Sequence, residues 1–117
     1  MQHNFRDLDV WKKAISFVSR VYALTSSFPS SELYGIVSQM QRAAVSIPSN
    51  IAEGAGRDSN ADFSRFISVA EGSACEIETQ ITIAHEISYI KDEEYNSFLA
   101  EIHEIQRMLS GLKRSLQ

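Results

Sequence analysis

The sequence predicts an all-α protein, an up-down-up-down antiparallel four-helix bundle whose second helix is kinked at Pro48. Three observations carry this. Apolar residues recur every three or four positions along almost the whole chain. No period-two run or hairpin turn signal interrupts them. The connections between periodic segments are short, which sets consecutive helices antiparallel. The 117 residues suffice for one domain, 1–117.

In the first segment Leu8, Trp11, Ile15, Val18 and Tyr22 form one helical row, and Val10, Ala14, Phe17, Val21 and Leu24 form a second beside it. Asp7 or Asp9 charges its start, and Phe28-Pro29 closes its approach to the next. The second segment starts at Ser30 or Ser31, with Glu32 in its first turn and the stripe Leu33, Val37, Met40, Ala44, Ile47 and Ile51. The third starts near Ser59 or Asn60 and carries Phe63, Ile67, Ala70, Ala74, Ile77, Ile81 and Ala84. Asp92 opens the fourth, with Tyr95, Leu99, Ile102, Ile105, Leu109, Leu112 and Leu116. Lys113 and Arg114 suit the negative end of its dipole.

Folding helices two and three about residues 55–60 predicts the pairs Met40 with Ala74, Ala44 with Ala70 and Ile47 with Ile67. Small residues there, and Gly72-Ser73 in the same region, imply a close approach. A bundle helix needs one apolar stripe a little over 100° wide. Helix one has two, so a second buried surface is expected, read as self-association through Val10, Trp11, Phe17 and Val21; the alternative is that the second row sits at the edge of the one core.

The run SIPSNIAEGAGR, residues 46–57, keeps the apolar register of helix two through a proline. Pro48 has no N–H and its ring clashes with the Ala44 carbonyl, so the helix must bend or break. Ser46, Ser49 and Asn50 are placed to satisfy the freed backbone. Asn50 and Glu53 have capping-box spacing. Gly54 and Gly56 suit the left-handed conformation that ends helices. A phosphate cradle completed by Arg57 is the functional alternative. No strand precedes it and no Gly-Lys-Ser/Thr follows, so the structural reading is preferred.

Little points to catalysis. One cysteine excludes an internal disulfide framework, and Cys75 is expected in or near the core. The Glu-x-x-His pairs of a di-iron bundle are absent, since Thr82 and Ala100 stand three before His85 and His103. No ligand set fits zinc, no arginine has the Arg-x(4–6)-His spacing of helical ribonucleases, and there is no nucleophile elbow. The expectation is no enzyme, no metal and no cofactor, with His85 and His103 at helix-surface or boundary positions. Glu71, Glu76 and Glu78 read as a solvated face or an interface, with Arg42 able to meet Glu71 or Glu78. No secretory signal opens the chain and no run of about 18 apolar residues could span a bilayer, so a cytoplasmic protein with no membrane partner is expected.

The net charge is −4. Bundle topology divides it by end. One end collects Arg6, Lys12, Lys13, Arg57, Arg65, Arg107, Lys113 and Arg114 against six acids, or +2. The other sets Arg20, Arg42 and Lys91 against nine acids, or −6. Parallel subunits in a ring would add these fields, making the basic end the candidate nucleic-acid surface.

The run Arg42 to Gly54, RAAVSIPSNIAEG, resembles the signature of the four-helix-bundle proteins encoded in intervening sequences of 23S rRNA genes. Phe5, Leu8, Val10-Trp11 and Ala14 look like that family's opening. Phe28-Pro29, Glu32, Tyr34-Gly35 and Gln39 resemble its second block. Phe63, Phe66, Ala70, Gly72-Ser73 and Glu76-Ile77-Glu78-Thr79-Gln80 resemble its third helix. The resemblance implies an up-down bundle, assembly as a homopentamer with a central opening, and kinship with the accessory protein of diversity-generating retroelements, which works with a reverse transcriptase and nucleic acid. It implies no enzymatic activity. The functional expectation is an RNA- or ribonucleoprotein-associated accessory protein, with ribosomal RNA or another nucleic acid on the basic end. The alternative is a protein-interaction scaffold that never touches nucleic acid.

Overall fold

The computed structural model describes residues 4–117. A 3₁₀ turn, Phe5–Asp7, precedes α1 (Asp9–Thr25). A second 3₁₀ turn, Ser30–Glu32, leads into α2 (Ile36–Ala55), and α3 (Asn60–Glu86) and α4 (Asp92–Ser115) follow. Each helix packs on its neighbour in the chain, and α1 packs on α4, closing an up-down four-helix bundle. It measures 45 × 24 × 20 Å. Among the described residues no helix is long and apolar enough to cross a membrane.

The helix starts differ in how they are capped. Ser59 caps α3, its hydroxyl accepting from the Asp62 N–H at 3.1 Å. Asp92, Glu93 and Glu94 place three carboxylates against the positive end of α4, which holds without a side-chain cap. The expected serine start of α2 is a 3₁₀ turn instead, and the α-helix begins one turn later, after Gly35.

The core stripe of α3 is buried throughout: Phe63, Ile67, Ala70, Ala74, Ile77, Ile81 and Ala84. In α1 the row that turns inward is Val10, Ala14, Phe17, Val21 and Leu24. This corrects the expected interface. Val10, Phe17 and Val21 are occupied by the subunit's own core, and Phe17 meets Phe98 edge-on at 5.9 Å. Of the four residues proposed, only Trp11 stands on the outward side, half-buried beside exposed Ile15. Leu33, expected inside, is 52% exposed. Cys75, expected near the core, is exposed.

α2 and α3 form the most extensive pairing, in a register about one turn from the one predicted. The Ser46 and Ser73 hydroxyls hydrogen-bond at 2.7 Å, and Gly54 lies against Phe63 and Phe66. The predicted register would have set Ser46 opposite Ser68 and Gly54 opposite Asn60. Gly72 makes no close approach: a Cβ there would meet open space.

α2 runs unbroken through Pro48. Pro48 has no N–H and so costs the helix a hydrogen bond, while its buried ring adds apolar contact. Asn50 does not cap a new helix. Its Nδ2 reaches back to the Ser46 carbonyl at 2.8 Å and the Ser46 hydroxyl at 2.9 Å, a turn earlier in the same helix. Glu53 bonds forward to Arg57 at 2.9 Å, so the capping-box reading fails for both residues. Ser49 is exposed at the edge of an α1–α2 groove. Neither Gly54 nor Gly56 is left-handed. Gly54 is helical, and Gly56 ends the helix at φ −84°.

Candidate functional site

The basic end is not a uniform patch, because side chains pair locally. Arg57 binds Glu53 one turn back at 2.9 Å, and Arg65 lies 3.8 Å from Asp62. Lys113 crosses from α4 to Glu71 of α3 at 3.3 Å. Lys13 reaches Glu104 at 3.1 Å, which joins a cation counted at the basic end to a carboxylate counted at the other. Exposed pairs of this kind are worth about 0–1 kcal/mol each. They still neutralise the outward field of their cations. Arg57 and Arg65 also lie over the Phe66 ring, at 4.8 and 4.6 Å. Arg6 lies over Phe5 at 4.4 Å.

Three cations of the eight stay exposed without an ion pair or ring contact among the described residues: Lys12, Arg107 and Arg114. Two of them share one surface. Arg107 and Arg114 are two turns apart on α4 and line a groove of about 480 Å³ with His103, Gln106 and Ser110. Helical spacing explains the grouping, since residues three, four and seven apart lie on one face.

α3 fixes the inner edge of this groove. Gln106 Nε2 donates to one oxygen of Glu78 at 2.9 Å, and His103 Nε2 lies 3.2 Å from the other. One turn nearer the end, Ser110 donates to Glu71 at 3.1 Å beside the Lys113 contact. The Gln106 hydrogen bond holds the Glu78 carboxyl below the ordinary glutamate range, with His103 adding to it and partial burial opposing it. These carboxylates are thus turned to α4 and held there, and neither meets Arg42. Arg107 and Arg114 are left on the outer edge. The arrangement offers charge and hydrogen-bond donors suited to an anion. The phosphate cradle considered for Gly54–Arg57 does not form, because Gly54 is packed against α3 and Arg57 is on Glu53 and Phe66.

His85, in the last turn of α3, ties that helix to the start of α4: its Nε2 lies 2.7 Å from Asp92 Oδ1, and its ring stacks on Tyr95 at 4.0 Å. Among the described residues no three metal-ligating side chains cluster.

The second surface is apolar. Phe5, Trp11, Ile15, Val18, Val45 and Pro48 line a groove of about 390 Å³ between α1 and α2. Phe5 and Trp11 meet edge-on at 5.3 Å. The signature run therefore contributes to a surface as well as to the core. Ile47 and Ile51 point inward, while Val45, Pro48 and Ser49 border the groove. The sequence held a hint of this: the row Leu8, Trp11, Ile15, Val18, Tyr22 is too apolar for a solvated face.

The bundle is similar to the crystal structure of a protein of unknown function from the S23 ribosomal protein family of Bacteroides thetaiotaomicron. The TM-score is 0.83 and the identity 26%, over 90% of this chain and 95% of that one. No curated protein matches the sequence. The model of the 23S rRNA-intervening sequence proteins matches residues 6–111, nearly the whole bundle, and the chain belongs to that family.

Proposed function

We propose that the protein is a non-enzymatic, oligomeric accessory protein that binds RNA, with ribosomal RNA or a ribonucleoprotein in the cytoplasm as its setting. One observation carries this reading: Arg107 and Arg114 share a polar groove with His103, Gln106 and Ser110 and have no carboxylate partner among the described residues. Arginine forks suit phosphate oxygens, and amide, hydroxyl and imidazole groups between them add hydrogen bonds. The family's link to 23S rRNA gives the same direction. Recognition is by charge and shape, since no base-reading element accompanies the groove.

The working form is a ring, a homopentamer as in the relatives the sequence resembles. The outward row of α1 and the groove beside Pro48 are the surface that a second copy covers. Parallel subunits would bring two unpaired arginines each to one rim. That repeats a small charge into one able to hold a polyanion.

Fluorescence anisotropy with a structured 23S rRNA fragment, at low and near-physiological salt, tests the reading. Saturable binding that weakens steeply with salt is expected, and Arg107→Glu with Arg114→Glu should abolish it while native mass stays unchanged. No binding at low salt would overturn the RNA reading. It would favour the scaffold reading, for which the apolar α1–α2 groove is the supporting observation.

A further inference from the structure

The end of the bundle opposite the basic rim also exposes apolar side chains. Tyr34 is 93% exposed, and Leu33 and Tyr22 about half. Tyr22 and Leu33 border a groove of about 400 Å³ between the end of α1 and the start of α2, with Phe28, Pro29 and Val37 in its wall. The wall is braced from the α3–α4 connection. Phe28 packs on Tyr89 at 5.3 Å, and the Tyr89 hydroxyl donates to Glu32 at 2.8 Å. A connection carrying adjacent exposed Leu and Tyr is unusual, since such loops are normally polar.

The half of the bundle that holds this groove is net acidic, although Arg42 and Lys91 are exposed there without an ion pair among the described residues. This half holds nine acids and three bases. Arg20 is taken up by Glu101 at 2.6 Å, and it also reaches Ser97 and the Phe98 ring. Glu94 lines a second groove on the other side of the α1 end, with Arg20, Ser27 and Phe98, yet makes no ion pair among the described residues. Glu86 and Glu93 make none either. The result is an apolar slot at an end of the bundle with an excess of carboxylates, none of which lines the slot itself.

We propose that this acidic end docks a basic amphipathic segment of a partner protein. Its apolar side chains enter the Tyr22–Phe28–Leu33–Val37 slot, and its lysines or arginines face the carboxylates of this end, Glu32 next to Leu33 and Glu94 across the end of α1. Charge complementarity selects this occupant. RNA and anionic lipid are repelled by a −6 end. A second copy would bring the same acidic end to a symmetric contact, and like charges there cost energy. A neutral apolar segment would fill the slot and leave the carboxylates unpaired. The inference does not depend on RNA binding, because it uses the other end of the bundle.

The test uses the full-length protein and a labelled amphipathic Leu/Lys helical peptide of about five turns. A Leu/Glu peptide of the same pattern is the control. The Leu/Lys peptide should bind saturably and the Leu/Glu peptide should not. Leu33→Ser with Tyr34→Ser, which leaves charge unchanged, should weaken binding about tenfold or more, a loss of about 1.4 kcal/mol. Val69→Ser, at an exposed apolar site on α3, should match the wild type. Both variants alter exposed side chains, and circular dichroism should show the helix content intact. Unaltered peptide binding by the Leu33/Tyr34 variant would overturn the proposal. So would a fall in its native mass, which would assign the slot to contact between copies.

Discussion

Gly54 of α2 lies so close to α3 that a Cβ built on it would stand 2.7 Å from the Phe66 Cβ. The same atom would be 2.9 Å from Phe63 Cδ1 and 3.2 Å from the Phe63 carbonyl oxygen. A Cβ carbon and a backbone oxygen cannot swing aside, so relief requires the two helices to part. Gly54→Ala should therefore destabilise by about 2 kcal/mol, the cost of overpacking, even though alanine favours a helix by about 1 kcal/mol. Gly72 is the internal control. It is helical and faces open space, so Gly72→Ala should stabilise by about 1 kcal/mol. Urea denaturation of both variants checks the pair. Stabilisation by both would mean that α2 and α3 are not held at this spacing.

The α3–α4 turn stores a different strain. Ser88 sits at φ 69°, the single non-glycine residue with positive φ among those described. Its N–H bonds the His85 carbonyl at 3.0 Å, and the Tyr89 N–H bonds the Ala84 carbonyl at 2.8 Å. These two bonds are the Schellman pattern, whose left-handed position is normally glycine. A serine there bears a Cβ clash of about 1 kcal/mol. Ser88→Gly should raise the unfolding free energy by roughly that amount, less the backbone freedom glycine adds to the unfolded chain. A thermal melt reads it as a higher midpoint, and a lower one would contradict this turn geometry.

The polar seam between α3 and α4 should show in acid. Glu78 titrates below its ordinary value in the folded protein because Gln106, and then His103, favour its charged form. Its contribution is therefore complete above about pH 4.3, the unfolded value, and is lost as pH falls through the lower folded value. Exposure and solvent screening limit it to about 0.5 kcal/mol. Gln106→Ala should cost about that much at pH 7, and the difference from wild type should shrink below pH 4. Paired denaturation curves at the two pH values check this, and a difference independent of pH would assign the loss to packing instead.

The bundle was legible in the sequence because burial repeats with the helical period. The α3 stripe from Phe63 to Ala84 is legible throughout. α1 is less so, since its two rows have the same spacing and each carries an aromatic residue. Periodicity alone cannot tell Phe17 from Trp11. Which row turns inward depends on residues far along the chain, such as Phe98 against Phe17. The register of α2 on α3 departs from the expected one for a similar reason: Gly54 reads in sequence as a helix terminator, whereas it lies inside α2 packed against Phe63 and Phe66. The eight cations of the basic end were legible as a set. Their division was not, because the pairing of Lys113 with Glu71 and of Lys13 with Glu104 crosses between helices.

The two rows of α1 make the assembly testable. Phe17→Asp places a carboxylate in a fully buried site and removes the Phe98 contact. Losing the aromatic ring alone costs about 3–5 kcal/mol, and the buried charge adds to it, so this variant should not fold stably. Ile15→Asp makes the same chemical change one face away, at a position 42% exposed in the single chain. It should leave helix content and the monomer fold intact. If α1 and the Pro48 groove are covered by a second copy, the aspartate must be buried unpaired, and native mass should fall toward 13.1 kDa. Trp11 is the single tryptophan and lines the same groove, so its emission should shift red as the groove becomes wet. Light scattering and fluorescence on the Ile15 variant read both effects. A wild type that is already 13.1 kDa, or an oligomer indifferent to Ile15→Asp, would place any assembly on another face of the bundle.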